Sequence, residues 1–240
     1  MAELDRTAGT RSAGEPGAGA AAAPARPRRR PFRLLAISHL ATLPGPAGAT
    51  GAAESVAAAW FAALAAAGVD ALQLREKQLA DLALYQLARQ ARGAFPGPAR
   101  LLVNGRADVA LATGADGVHL PADGVPARAL RARFGDGLLI GVSTHRHDEV
   151  EQARRDGADY VVFGPVYSTP TKAALGAPAG LPALARAAGL GIPVYALGGV
   201  TLDRFAEVAT AGAAGVAAIR LFQRLDELEQ AVAAAGACFP

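Results

Sequence analysis

The stretch YVVFGPVYSTPTK, residues 160–172, decides how the rest of the chain is read. Its first four residues are apolar or aromatic and β-prone, and such an unbroken run fits a strand buried on both faces, as parallel strands are. Gly164-Pro165 stops the run and opens a loop carrying Ser168, Thr169, Thr171 and Lys172. Hydroxyls and an ammonium just past a strand's carboxyl end supply hydrogen bonds and positive charge, which suits an anionic small molecule without calling for a metal.

The same grammar repeats on either side. Short apolar runs occur at LLAIS (34–38), VDALQL (69–74), LLVN (101–104), DGVHL (116–120), LLIGV (138–142), DYVVF (159–163), PVYAL (193–197) and GVAAI (215–219). Ala/Leu/Arg-rich stretches between them predict helices near 52–67, 79–93, 107–113, 126–134, 147–156, 180–189, 202–211 and 224–236. Apolar strands alternating with helices predict an α/β fold of parallel strands covered by helices. Eight such units favour a closed TIM (β/α)8 barrel, with reactive groups at the carboxyl ends of the strands. A doubly wound open sheet is the structural alternative; no G-x-G-x-x-G follows the first strand, which counts against it. The expected organisation is a disordered Ala/Gly/Pro/Arg-rich tail over residues 1–32 and the barrel over 33–240.

Charge follows that division. The chain has 240 residues and a net charge of +3, but residues 1–33 hold seven arginines against Glu3, Asp5 and Glu15. The remainder is slightly acidic, so the basic character belongs to the tail and no nucleic-acid-binding face is expected on the body. The tail nearly lacks large apolar side chains and cannot offset its ordering entropy by burial. Its basic cluster RPRRRPFR (26–33) reads most simply as a solvated leader. No secretory signal is expected, because the arginines follow the alanine run and that run is not greasy. No apolar run reaches the ~18–20 residues needed to span a bilayer, so no membrane segment is expected. The single cysteine, Cys238, rules out an internal disulfide framework and agrees with a reducing, cytoplasmic setting.

In a barrel, the residues finishing each strand meet at one mouth. They are Ser38-His39, Arg75-Glu76-Lys77, Asn104-Gly105-Arg106, His119, Ser143-Thr144-His145, the loop 168–172, Gly198-Gly199 and Arg220. Arg75 and Lys77, two apart, share a side of the chain while it stays extended. With Lys172 opposite, they suit a diphosphate. Gly198-Gly199 ahead of Thr201 allows close approach of backbone N–H donors to a phosphate. Each feature has a plainer reading: a surface salt-bridge cluster at Arg75–Lys77, ordinary turn chemistry at Gly198-Gly199, a packed core histidine at His119. His145 and His147 lack the further ligands a metal pair needs.

Taken together the residues resemble the thiamine phosphate synthase/TenI family over about residues 34–236. The resemblance rests on Q-L-R-E-K (73–77), V-N-G-R-A-D (103–108), D-G-V-H-L (116–120), G-V-S-T-H (141–145), the stretch 159–172, A-L-G-G-V (196–200) and A-G-A-A-G-V-A (211–217). It implies a TIM barrel. It places a pyrimidine diphosphate on Gln73, Arg75, Lys77, Asn104, Ser143 and Lys172, and thiazole phosphate on Thr169, Thr171, Gly199 and the backbone at Ile219 and Arg220. In a synthase the diphosphate leaves and the thiazole nitrogen attacks the resulting cation, with Lys77 and Lys172 as candidate catalytic cations. Phosphorylated small molecules are then the partners, and Mg2+ the cofactor if the chain is a synthase.

Departures from the pattern carry equal weight. Gly105 and Gly124 stand where synthases have magnesium-binding aspartates, which leaves Asp108 and Asp123 as substitutes. Gly105 and Leu120-Pro121 resemble the TenI branch, whose thiazole tautomerisation needs a general acid/base and no metal. The TenI histidine corresponds to Pro165, so His119 or His145 becomes the candidate base. Arg220 stands where both branches have serine. On these residues the tautomerase reading is slightly favoured over a divergent synthase, with a non-catalytic ligand-binding barrel as the third reading.

Overall fold

A computed structural model describes residues 32–43, 52–169 and 177–240. Eight strands close into an all-parallel barrel in sequence order, each hydrogen-bonded to the next and β8 back to β1. The strands are β1 (Leu34–Ile37), β2 (Ala71–Leu74), β3 (Arg100–Asn104), β4 (Gly117–Leu120), β5 (Leu139–Thr144), β6 (Tyr160–Phe163), β7 (Val194–Leu197) and β8 (Gly215–Ala218). The helices are α1 (Ala52–Ala67), α2 (Asp81–Ala94), α3 (Ala107–Thr113), α4 (Ala127–Phe134), α5 (His147–Arg155), α6 (Gly180–Ala188), α7 (Phe205–Thr210) and α8 (Leu228–Cys238). The expected TIM barrel is therefore the observed one. The last two helices start later than expected because short 3-10 turns at Leu202–Arg204, Arg220–Gln223 and Leu225–Glu227 precede them.

Strand parity separates two cores. Leu34, Leu72, Leu101, Val103, Val118, Ile140, Val161 and Val216 face outward and join the apolar stripes of the helices. In α2 that stripe is Leu84, Leu87, Ala88 and Ala91, the i, i+3, i+4, i+7 spacing of a one-sided helix. The alternate residues face the barrel axis, where Leu35, Ile37, Ala71, Leu102, Leu139, Tyr160, Val162, Tyr195 and Ala217 pack together. Phe32 joins this inner core. Its ring stacks on Tyr195 at 4.3 Å and meets Tyr160 edge-on at 5.1 Å, while Tyr195 donates to the Phe32 carbonyl at 2.7 Å. The sequence reading leaves Phe32 in the tail; the structure seats it in the barrel floor. Residues 1–31, the remainder of the expected tail, lie outside the described residues.

The amino-terminal end of the barrel is tied by one device used three times. Asp70, Asp116 and Asp159 each stand immediately before an even-numbered strand, and each accepts from a backbone N–H of the strand before it. Asp70 takes Arg33 and Leu34 at 2.8 and 2.9 Å, Asp116 takes Leu101 at 2.9 Å, and Asp159 takes Ile140 at 2.7 Å. Arg92 and Arg100 neutralise Asp116, and Arg131 pairs with Asp159. Asp116 and Asp159, which open two of the sequence motifs, thus serve the floor and not the mouth.

Candidate active site

Above the aromatic floor the inward positions turn polar. Gln73, Asn104, His119 and Ser143 occupy interior positions on β2, β3, β4 and β5, and the register sets Asn104 beside His119. Gln73 Nε2 donates to Asn104 Oδ1 at 3.0 Å. The other end of that amide, Gln73 Oε1, is buried and has no hydrogen-bond partner among the described residues. A buried acceptor left unpaired is costly, so this oxygen is open to a donor from a water or a bound molecule.

His119 continues the arc. It is 1% exposed, with Nδ1 3.0 Å from the Tyr160 hydroxyl and Nε2 2.9 Å from Ser143 Oγ. Burial, reinforced by the charge of Arg75, pulls its pKa down to about 3. A general base has to reach the proton it removes, and here both ring nitrogens are engaged inside the barrel wall. The geometry does not suit the acid/base role drawn for His119 from sequence. His145, also a candidate base, is exposed beyond the end of β5, and its Nδ1 is bonded to the Gly164 carbonyl.

The QLREK segment divides unexpectedly. Ser38 Oγ accepts from Arg75 N at 2.8 Å, and Ser38 N donates to Gln73 O at 2.9 Å, which fixes the exit of β2. Arg75 is half-buried at the mouth. Glu76 is buried and accepts from Leu40 N and Gln78 Nε2, both at 3.0 Å, so it anchors the loop after β1. The chain then turns, with Leu79 N bonded to Glu76 O. Lys77 sits in that turn and is exposed. Arg75 and Lys77 both lie past the end of β2 at Leu74.

Opposite this arc the β6 and β7 loops run side by side. Val166 N and Tyr167 N donate to Leu197 O and Gly198 O at 2.8 and 3.0 Å. Gly199 has φ +66°, and a Cβ there would fall 2.7 Å from Tyr167 Cβ and 2.8 Å from Ser168 O. Only glycine lets this turn approach so closely. Arg204 braces it, donating to Gly199 O at 2.6 Å while its guanidinium lies 4.2 Å from the Tyr167 ring centroid. Tyr167 in turn donates to Glu207 at 2.5 Å, and desolvation together with that carboxylate pushes its pKa up to about 12. The neighbouring Thr169 is buried, with Oγ1 unpartnered among the described residues. Ile219 is half-buried and Arg220 exposed at the end of β8. Thr171 and Lys172 lie outside the described residues. Sequence reasoning missed the Glu76 anchor and the Arg204–Tyr167–Glu207 brace, because neither carries a local motif; both join residues from separate strand–helix units.

Magnesium takes oxygen ligands in near-octahedral geometry, including one or two carboxylates where protein binds it. Among the described residues no three His, Cys, Asp or Glu side chains gather as a metal site. Asp108, expected as a substitute ligand, is exposed and held by Arg106 through two bonds of 2.9 and 2.7 Å, which lowers its pKa to about 2. Arg106 also bonds Asp81. Asp123, the other substitute, is exposed in the turn that follows β4. Gly105 has φ +67°, a conformation strained for aspartate, and a Cβ on Gly124 would press to 2.9 Å from the Pro121 ring. Among the described residues the carboxylates do not fit a carboxylate-held magnesium ion.

A family model described as thiamine monophosphate synthase (TMP-TENI) matches residues 49–222. A Geobacter sulfurreducens protein, provisionally named a thiamine-phosphate synthase, is 50% identical over 156 residues, covering 64% of this chain and 73% of its own. The thiamine-phosphate synthase of Chlorobium luteolum is 41% identical over 172 residues, 68% of this chain and 78% of its own. Among solved structures, thiamine phosphate pyrophosphorylase from Pyrococcus furiosus superposes with a TM-score of 0.70 at 27% identity, covering 85% of this chain and 96% of that one.

Proposed function

The chain belongs to the thiamine monophosphate synthase (TMP-TENI) family, and from that membership we propose that it is a thiamine-phosphate synthase. The reaction joins an aminopyrimidine carried as its diphosphate to thiazole phosphate. The bond from the pyrimidine's methylene carbon to the diphosphate oxygen breaks, the diphosphate leaves with the electron pair, and the thiazole nitrogen lone pair forms the new C–N bond.

The observation that carries this reading is the unpartnered Gln73 Oε1 beside Asn104. A buried amide oxygen at the bottom of the mouth complements an exocyclic amine, and Asn104 and Ser143 extend the polar edge that an aminopyrimidine offers. Arg75 stabilises the charge that grows on the departing diphosphate, since fixed cations at a desolvated mouth act where charge develops. Lys77 and Lys172 join it in the proposal. Thr169, Thr171, the Gly199 turn and the chain at Ile219 and Arg220 receive the thiazole phosphate. No step is assigned to magnesium, because the carboxylates present do not fit it.

The sequence by itself slightly favours the TenI tautomerase. The named synthase relatives support the other branch, and so does the burial of His119, which leaves that reading without a reachable base on β4. Phosphorylated substrates do not cross a bilayer unaided, so a cytoplasmic setting is part of the proposal. Among the described residues no helix is long and apolar enough to cross a membrane.

The test combines the purified chain with both phosphorylated substrates and magnesium chloride, and follows thiamine phosphate and released diphosphate. Turnover is expected, with Gln73→Leu raising KM for the pyrimidine substrate about tenfold or more through the lost acceptor and Arg75→Ala lowering kcat. Tautomerisation without condensation would return the chain to the TenI branch. Binding of thiazole phosphate with neither reaction would leave a ligand-binding barrel.

A further inference from the structure

Tyr160, His119 and Ser143 form a hydrogen-bonded chain running from the aromatic floor of the barrel to its mouth. The links are 3.0 Å from the Tyr160 hydroxyl to His119 Nδ1 and 2.9 Å from His119 Nε2 to Ser143 Oγ. Tyr160 is held below by Phe32 and Tyr195, edge-on to both. Gly141 makes room for it on β5, where a Cβ would fall 2.0 Å from Tyr160 Cζ.

The chain has a direction. Burial pushes the Tyr160 phenol well above its usual pKa, so it keeps its proton. Among the described residues its hydroxyl has no other hydrogen-bond partner, and a buried O–H with nothing to donate to costs more than a spare lone pair. Tyr160 therefore donates and His119 Nδ1 accepts. The imidazole is neutral, so its one proton sits on Nε2 and is donated to Ser143 Oγ. With one lone pair taken by the His119 N–H, the half-exposed Ser143 does not donate back to the ring, and its own hydrogen is free for an acceptor in the mouth.

We propose that Tyr160, acting through His119, is a positioning residue that fixes Ser143 as a hydrogen-bond donor to an acceptor atom of the substrate, a diphosphate oxygen or a ring nitrogen. Tyr160 never touches substrate. The proposal rests on the reading of this mouth as the substrate site, but the state of the His119 ring does not depend on turnover.

The experiment is long-range nitrogen–proton NMR on the full 15N-labelled chain, with His119 assigned by its loss in His119→Gln. The expected wild-type spectrum shows a protonated Nε2 and a bare, accepting Nδ1, and Tyr160→Phe moves the ring to a mixture of tautomers. A proton on Nδ1 in the wild type overturns the proposal, as does a pattern indifferent to Tyr160→Phe. The wild-type spectrum decides even if that variant does not fold. Kinetics supply the second arm: Tyr160→Phe and Ser143→Ala are each expected to cost about three- to tenfold in kcat/KM for the pyrimidine diphosphate, the size of one lost hydrogen bond. The double variant is expected to cost no more than Ser143→Ala alone. Additive losses overturn the relay. Inorganic diphosphate separates the acceptors: weaker binding by Ser143→Ala supports the oxygen, unchanged binding with weaker pyrimidine diphosphate supports the ring nitrogen, and no effect on either overturns the donor role.

Discussion

Gly141 shows how much of this site depends on the absence of an atom. It faces inward on β5, and the space a side chain would take is filled by the Tyr160 ring. Gly141→Ala forces the ring or the strand aside, and overpacking of a tight core typically costs about 1–3 kcal/mol. For a domain of this size that corresponds to a melting point lower by roughly 3–10 °C, read by calorimetry. The sequence carries Gly141 only as the first letter of the GVSTH motif. Its reason lies in a tyrosine on the next strand. Gln73 was legible as a site residue through the resemblance, but the orphaned oxygen that gives it a task appears only once the strands are in register. His119 is the opposite case. Its strand-end position drew attention, and burial between Tyr160 and Ser143 gives it a different task from the one its chemistry first suggested.

At the scale of elements, the two ends of the strands do different work. The carboxyl ends carry the mouth, while the aspartates before β2, β4 and β6 tie the floor. Asp116 accepts from Leu101 N, Arg92 and Arg100 within 3.0 Å. Asp116→Ala leaves a backbone N–H and two guanidinium groups without this partner, and the expected loss is about 1–3 kcal/mol. Urea denaturation is expected to show a lower midpoint with an unchanged slope, and kcat/KM of the folded protein is expected to stay put, because the substitution lies at the far end from the mouth. The element boundaries were largely legible from apolar runs and turn residues. The length of β5 was not. It continues to Thr144, which makes Ser143 an inward strand residue instead of a loop residue.

For the whole molecule, His119 couples the site to acid stability. Its native pKa of about 3 lies below the ordinary 6.5, so between these values the unfolded chain binds a proton that the native barrel refuses. Above pH 6.5 the ring is neutral in both states and stability is complete on this account. As pH falls below 6.5 stability is lost, at about 1.4 kcal/mol per pH unit per proton, until pH approaches 3. Arg75 and the Tyr160 hydroxyl face the ring, and Arg75 deepens the effect. Denaturation at pH 7 and pH 5 is expected to show a drop of roughly 1–2 kcal/mol that is smaller in His119→Gln. An equal drop in that variant would assign the acid sensitivity elsewhere.

The sequence alone determined parallel strands covered by helices and favoured a barrel, because eight apolar runs separated by helix-forming stretches suit a sheet buried on both faces; the pairing of β8 with β1 decided closure over an open sheet. The sequence also determined the chemical character of the mouth, since polar residues recur just past those runs. Tertiary structure decided which of them act together. Arg75 is half-buried at the mouth while Lys77 stands exposed in the turn that follows, Glu76 becomes an anchor, and Arg106 pairs with Asp108. His119 became a link between a tyrosine 41 residues away and a serine 24 residues away. Local pattern encodes where a strand ends; only closure of the barrel brings distant side chains within hydrogen-bonding distance and removes the water that would otherwise satisfy them.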